Sequence, residues 1–157
     1  MTTSAADGVP VVGLHGTSWV GQLLEQAPTA RVESLTQPTE FNGTLRPYQL
    51  RGLDWLSFLT RLGIGGCLAD DMGLGKTIQL IALMLHEREK RNGDPKLGPT
   101  LLFAPTSVVG NWTKELARFA KPLKVLVHHG PERLHGEQFA IAAAESDVVI
   151  TSYALAH

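Results

Sequence analysis

The sequence has little cysteine, no excess of basic residues and no long apolar run. Cys67 is the only cysteine among 157 residues, so no disulfide framework is possible and a reducing compartment fits. The chain carries 14 basic against 15 acidic residues, a formal net charge of −1. This balance excludes a domain that binds nucleic acid through a global positive charge. Any nucleic-acid contact must come from a local patch or from residues outside this sequence.

Signals for targeting and membrane insertion are also missing from the sequence. Residues 1–10 lack the basic and apolar regions of a signal peptide. The longest apolar run, residues 78–85, contains Gln79 and is too short to span a bilayer. With 43% hydrophobic and 18% charged residues, the composition is that of an ordinary globular domain. We therefore expect a soluble, cytoplasmic protein.

One stretch, residues 66–77, organises the rest of the chain. It reads Gly-Cys-Leu-Ala-Asp-Asp-Met-Gly-Leu-Gly-Lys-Thr and precedes an apolar run. The order predicts a strand at residues 67–69, a phosphate-binding loop and then a helix, whose N-terminus offers unpaired amides and the positive end of its dipole. In such a loop Lys76 reaches the terminal phosphates, and the hydroxyl of Thr77 completes a magnesium shell. We predict ATP and Mg²⁺ as ligands, with Lys76 and Thr77 as the catalytic residues.

The loop departs from the general pattern G-x-x-x-x-G-K-[ST] at one position. Asp70 stands where the first glycine is expected, and Gly73 lies inside the loop instead. An ordinary turn between a strand and a helix is the alternative interpretation.

Strands and helices alternate along the rest of the chain. Helices are predicted at residues 45–62, 76–92, 112–120 (with Asn111 as cap) and 134–144, and further strands at 100–104, 124–128 and 148–150. This alternation predicts an α/β fold with a parallel sheet and flanking helices. Residues 1–44 are interpreted as an irregular lead and linker, or as the tail of an upstream domain, with a short helix at residues 19–26. His128, His129 and His135 cluster without a cysteine or paired carboxylate at ligand spacing, so no zinc site is predicted.

Four segments resemble a known family in the order that the family has them. Leu-Ala-Asp-Asp-Met-Gly-Leu-Gly-Lys-Thr-Ile-Gln resembles motif I of the Swi/Snf-type helicase-like ATPases, the superfamily two DNA translocases, in a bacterial-type form. An acidic residue is usual in that family at the position of Asp70, and glutamate at that of Asp71. Leu-Arg-Pro-Tyr-Gln-Leu-Arg-Gly-Leu-Asp-Trp-Leu resembles the segment ahead of motif I, Ala-Pro-Thr-Ser-Val-Val-Gly-Asn-Trp resembles motif Ia, and Thr-Ser-Tyr resembles motif Ib.

The resemblance implies a fold and a set of site residues. Residues 45–157 would be the first part of a RecA-like ATP-binding lobe, truncated before motif II. The glutamine that reads the adenine edge would be Gln49; the alternative is a solvated glutamine in the first helical turn. Thr106, Ser107, Thr151 and Ser152 would contact the DNA backbone, with turn and cap duty as the alternative for the first two. The implied nucleotide-binding residues are Gln49, Asp70, Asp71, Met72, Gly73, Leu74, Gly75, Lys76 and Thr77.

The function that the resemblance implies belongs to a longer protein. That protein would be an ATP-dependent translocase on double-stranded DNA of the chromatin-remodeller type, associated with the nucleoid when bound to DNA. Its partners would be the missing downstream lobe and transcription or chromatin-like machinery. This chain lacks the acidic motif II and the arginine finger, which is worth roughly a thousandfold or more in rate. We expect the chain alone to bind nucleotide weakly, without turnover.

Two other classes of function stay open at this point. One is a different P-loop enzyme, such as a small-molecule kinase. The other is a non-catalytic module that uses the same fold to bind proteins. A Lys76→Ala variant separates them, because loss of nucleotide binding by a folded chain favours the nucleotide-binding classes.

Overall fold

The computed structural model describes residues 32–91 and 98–155. The predicted helix at residues 19–26 lies outside them. The described part contains four α-helices, three strands and a final 3₁₀ turn: α1 Pro47–Arg61, α2 Lys76–Arg91, β1 Thr100–Ala104, α3 Thr106–Phe119, β2 Val125–His128, α4 Gly136–Ala144, β3 Val148–Ser152 and the turn Tyr153–Leu155. No helix in these two ranges combines the length and the apolar character needed to cross a membrane.

The three strands form one parallel sheet in the order β1-β3-β2. In the register, Ile150 of β3 lies between Leu102 of β1 and Val127 of β2. All five residues of β3 are buried. A central parallel strand is covered on both faces, which is why β3 begins with three consecutive apolar residues, Val-Val-Ile. The predicted α/β fold with a parallel sheet and flanking helices is confirmed.

The core joins α1, α2 and α3 to this sheet. α1 packs on α2, α2 packs on α3, and α3 packs on β2 and β3. Apolar residues at helical spacing form the contacts, and an apolar face of this width is what a helix buries against its neighbours. Fully buried members of the core are Leu53, Ile81, Leu85, Leu116 and Ile150.

The strand predicted at residues 67–69 is wrong. This segment has no regular structure, and Cys67 is exposed. A strand requires backbone partners on a neighbouring strand, and none of the described strands pairs with this segment. The three-residue apolar run, preceded by Gly65 and Gly66, is too short to predict that pairing.

α3 begins six residues earlier than predicted, at Thr106 rather than Trp112. Pro105 fixes the entry to the helix, and Val108 donates its amide to the Pro105 carbonyl at 2.9 Å. Val109 is buried in the core, which offsets the low helix propensity of β-branched residues. Asn111 therefore lies inside the helix and is not its cap, whereas Trp112 packs against the core.

Residues 33–45 form an irregular segment that we call the strap. In sequence this stretch resembles a linker, yet Phe41 is 5% exposed and stacks on Phe119 of α3 with ring centroids 5.6 Å apart. Thr39 donates its amide and its hydroxyl to Glu89 of α2, at 2.9 and 2.8 Å. Leu35 donates its amide to Asp54 of α1 at 2.8 Å. The strap thus connects three helices by direct bonds or ring stacking.

Candidate phosphate-binding site

The phosphate loop, residues 70–75, ends where α2 begins at Lys76. Gly73 and Gly75 have φ angles of 86° and 82°, in the region where a residue with a Cβ is strained. Leu74 donates its amide to the Asp71 carbonyl at 3.4 Å. Within the described residues, the amides of Gly75, Lys76 and Thr77 donate no hydrogen bond to other backbone groups. These amides, at the positive end of the α2 dipole, form the kind of backbone site that binds phosphate.

The side chain of Lys76 lies along the loop. Its ammonium donates to the carbonyls of Asp70 and Asp71, at 2.7 and 2.9 Å. The Lys76 ammonium is therefore held beside the first two residues of the loop by their carbonyl oxygens. An ammonium with three donors can exchange one of these neutral carbonyls for a charged phosphate oxygen, which is the stronger partner.

α1 holds the other side of the loop through its first turn. Gln49 donates from Nε2 to the Leu74 carbonyl at 3.1 Å, and its Oε1 accepts from the Arg46 amide at 2.9 Å. The hydroxyl of Tyr48 donates to the same Leu74 carbonyl at 3.2 Å. Gln49 is 5% exposed, so the alternative of a solvated glutamine in the first turn is wrong. The structure places Gln49 beside the phosphate loop, with one amide hydrogen and one lone pair left for a ligand.

Gly75 lies against the first turn of α1. A Cβ built on Gly75 would lie 2.5 Å from Nε2 of Gln49. Glycine is thus favoured at this position for two reasons: the positive φ and the lack of space for a Cβ. The close approach brings two of the residues predicted for nucleotide binding together.

The other predicted nucleotide-binding residues divide by exposure. Lys76 and Thr77 are partly buried at the start of α2, and Asp70 is partly buried at the start of the loop. The exposed members are Asp71, Met72, Gly73 and Leu74. Thr77 supplies a hydroxyl oxygen, the ligand type that Mg²⁺ accepts beside phosphate oxygens, so the chain has a residue that fits the implied metal.

Sequence reasoning missed two residues of this site, Tyr48 and Gln79. Gln79 is fully buried on α2 and donates from Nε2 to Oδ2 of Asp70 at 2.8 Å. Its signal in the sequence is a single polar residue inside the apolar run 78–85. Tyr48 has no comparable signal, because tyrosine is common in half-buried first turns.

Two cavities adjoin the loop. One, of about 420 Å³, adjoins Lys76 and Thr77. Its remaining lining is mainly apolar, which suits a phosphate tail poorly: Leu56, Gly66, Leu68, Leu80 and Trp112. The other, of about 500 Å³, lies along α1 and reaches Asp70 and Gln79. Neither cavity is lined by residues 71–75 of the loop.

The residues predicted to contact nucleic acid fall into two environments. Thr106 and Ser107 are exposed in the first turn of α3, directly after the carboxyl end of β1. Thr151 and Ser152 are 8% and 2% exposed in β3, and the Thr151 hydroxyl donates to the His128 carbonyl at 3.0 Å. The structure thus presents the first pair at the surface and covers the second pair.

Two histidines have shifted pKa values. Burial, assisted by the charges of Arg133 and His135, lowers the pKa of His128, whose ring lies 4.2 Å from that of Phe139. Burial and then the charge of Lys90 lower the pKa of His86 on α2. Across residues 32–91 and 98–155, no three histidine, cysteine or carboxylate side chains are grouped to hold a metal ion.

The fold and the loop define an α/β domain in which a glycine-containing loop, of the kind that binds phosphate, leads into the N-terminus of a helix. A sequence profile of the SNF2-related domain matches residues 48–156. The chain therefore belongs to the SNF2-related family of ATPase domains.

Known relatives agree with this assignment. The chain is 56% identical over 117 residues to the putative ATP-dependent helicase/translocase YwqA of Bacillus subtilis, covering 74% of this chain and 12% of that protein. It is 49% identical over 98 residues to the human chromatin-remodeling ATPase INO80, covering 62% of this chain and 6% of that protein. The chain thus spans about a tenth or less of the length of these relatives.

Superposition on a solved structure also supports the fold. The Sulfolobus solfataricus SWI2/SNF2 ATPase core in complex with double-stranded DNA superposes with a TM-score of 0.63 at 38% identity, covering 78% of this chain and 24% of that one. The predicted resemblance to Swi/Snf-type ATPases and the RecA-like class of the fold are confirmed.

Proposed function

We propose that this chain binds the phosphate tail of ATP at residues 70–77, as one part of an ATP-driven translocase on double-stranded DNA. The observation that carries the proposal is the phosphate loop itself. Three consecutive amides without backbone acceptors, those of Gly75, Lys76 and Thr77, adjoin an ammonium already held at the loop by two carbonyls. Such a set neutralises phosphate charge from two sides.

Four residues of the site have separate tasks in this proposal. Lys76 binds the terminal phosphates, and Thr77 offers its hydroxyl to the magnesium ion that accompanies them. Magnesium, when bound, neutralises charge that develops on the phosphoryl oxygens. Gln49 holds the loop through Leu74 and offers the free half of its carboxamide to the adenine edge. Asp70 fixes the start of the loop.

Binding of DNA is the second component of the proposal. Thr106 and Ser107 support it, because hydroxyls and amides at a helix N-terminus can bind phosphate without adding net charge. They lie at the carboxyl end of β1, where open α/β sheets bind ligands. The Sulfolobus relative was solved in complex with double-stranded DNA. Burial of Thr151 and Ser152 makes a direct contact by their hydroxyls less favourable than one by the first pair.

Hydrolysis and translocation are proposed for the whole protein only. This chain spans 12% of YwqA, so the parts that complete a catalytic cycle in that relative need not lie in these residues. For the chain alone we propose nucleotide binding without turnover. A protein-interaction module on the same fold is the competing proposal.

The test is nucleotide binding by wild-type chain and by Lys76→Ala. Mg-ATP titrated calorimetrically into the folded protein should give a one-site isotherm. Removal of the ammonium should weaken binding by about tenfold to a hundredfold, the worth of a charged hydrogen bond. Thermal melting of both proteins establishes that each is folded. Equal binding by folded Lys76→Ala would overturn the role of Lys76, and no binding by folded wild type would favour an interaction module.

A further inference from the structure

Gln79 is a buried polar residue that the nucleotide site as proposed above does not use. Its side chain is 0% exposed, on the first turn of α2. Its backbone amide donates to the Gly75 carbonyl at 3.1 Å, and its side-chain Nε2 donates to Oδ2 of Asp70 at 2.8 Å. A single residue thus bonds to the first and to the last residue of the phosphate loop.

The carboxamide is fixed by close packing as well as by hydrogen bonds. A Cβ built on Gly52 of α1 would lie 1.7 Å from Oε1 of Gln79 and 2.9 Å from its Cδ. Oε1 has no hydrogen-bond partner among the described residues. Burial of an unpaired amide oxygen is unfavourable, so an apolar side chain would be the more stable choice if packing were the only task.

Asp70 connects Gln79 to Lys76. The carboxylate of Asp70 accepts from Gln79, while the carbonyl of the same residue accepts from the Lys76 ammonium at 2.7 Å. A rotation of the Asp70 backbone would therefore displace both its carboxylate and one of the two carbonyl oxygens that hold the ammonium. The bond from Gln79 is charge-assisted and partly buried, and it restrains that rotation.

We propose that Gln79 is a positioning residue for nucleotide binding, acting through Asp70 on the place of the Lys76 ammonium. The inference rests on the proposed function and extends it to a residue that touches no ligand. It requires a donor at position 79 that faces an acceptor at position 70. Exchange of the donor and the acceptor between positions 79 and 70 should preserve nucleotide affinity, whereas acceptors at both positions should lower it.

The experiment measures the Kd of Mg-ATP in four chains. Gln79→Glu sets two carboxylates against each other and should weaken binding roughly tenfold, the loss of one charge-assisted bond. Asp70→Asn keeps an acceptor oxygen at position 70 but removes its charge, so it should weaken binding by less than Gln79→Glu does. Asp70→Asn combined with Gln79→Glu places an amide donor opposite a carboxylate and should recover most of the lost affinity.

Gln79→Met keeps the length of the side chain but removes the donor, and it tests the inference even if Gln79→Glu does not fold. We expect a folded chain with weaker binding. Gln138→Met, at an exposed glutamine of α4, is the matched control and should bind as wild type. Thermal melting is recorded for every chain.

The outcomes separate this inference from the proposed function. If folded wild-type chain binds no Mg-ATP, the proposed function itself fails. If wild type binds and folded Gln79→Met binds equally well, the proposed function stands and the role of Gln79 is overturned. A folded double variant that binds no better than Gln79→Glu would also overturn it, because a purely steric role predicts no recovery.

Discussion

The strap and the phosphate loop are irregular segments at opposite ends of α2, and they are fixed in different ways. The strap bonds to side chains near the C-terminal end of α2, and its Phe41 is buried against α3. The phosphate loop is exposed at Met72 and Leu74 and keeps amides without backbone acceptors. The polar groups of the strap are bonded to neighbouring helices, whereas backbone amides at the end of the loop have no backbone acceptor.

This contrast teaches where stability and function lie in the domain. Burial of an aromatic ring and satisfied hydrogen bonds stabilise the folded state. Unsatisfied amides and positive φ angles cost stability and are retained at sites that bind something. Substitutions in the strap should thus lower stability, and those in the loop should mainly lower ligand affinity.

The largest effect on stability is expected from Phe41→Ala. Removal of a buried, stacked phenylalanine should destabilise the domain by about 3–5 kcal/mol, a large part of the stability of a small domain. Urea unfolding followed by circular dichroism measures it. Phe103→Ala, at a ring that is 41% exposed on β1, is the matched control and should cost clearly less. Equal losses would show that the strap is not part of the core.

Gly75→Ala should have the next largest effect, and Gly73→Ala is its control. Both substitutions place a Cβ at a positive φ, which costs about 1–2 kcal/mol. Only at Gly75 does the Cβ also meet Gln49, since nothing lies within 4 Å of a Cβ at Gly73. Loss of the Gln49–Leu74 bond should add about 1 kcal/mol to the cost at Gly75. Identical unfolding free energies for the two variants would contradict the close approach of α1 to the loop.

A smaller effect is expected from Glu89→Ala. This change removes the acceptor of two hydrogen bonds from Thr39, at a site open to solvent, and should cost about 0.5–1.5 kcal/mol. Glu115→Ala on α3 provides the comparison, because no described residue bonds to that carboxylate. Unfolding free energies measure both. If Glu115→Ala lowers the unfolding free energy more than Glu89→Ala does, the bonds between Thr39 and Glu89 do not stabilise the domain as proposed.

His86 should give the smallest effect, visible only as a dependence on pH. Its folded-state pKa is lowered below the ordinary value of 6.5, first by burial and then by Lys90. The unfolded chain therefore binds the proton more readily, so the contribution is fully present above pH 6.5 and is lost as pH falls through the lower folded pKa. His86→Asn should melt with a shallower fall between neutral and mildly acidic pH. Parallel melting curves for the two chains would contradict this.

Local patterns predicted much of the fold. α2 and β1 match their predicted bounds to within a residue, because an apolar run behind Gly-Lys-Thr and a Gly-Pro turn before Thr100 are local signals. The early start of α3 was missed because burial of Val109 outweighs the local preferences of Val108 and Gly110. The strand at residues 67–69 was predicted from composition, whereas a strand depends on a partner.

The candidate site was predictable in its sequence motif but not in its supports. Gly73, Gly75, Lys76 and Thr77 follow from the pattern, and their side-by-side placement follows from continuity along the chain. The contacts of Gln79 with Asp70 and of Tyr48 with Leu74 join residues 9 and 26 positions apart, and their geometry depends on how α1 and α2 pack. The strap was missed for the same reason, since its partners lie 19 or more positions away.

The central claim is that the loop, and not the strap, is where the nucleotide phosphates bind. Titration of Mg-ATP into ¹⁵N-labelled chain, followed by amide chemical shifts, tests it most directly. We predict saturable shifts for the amides of residues 72–77, unchanged amides in residues 33–45, and loss of the response in folded Lys76→Ala. A folded protein whose loop amides do not move, or whose only shifts lie in the strap, would contradict the account.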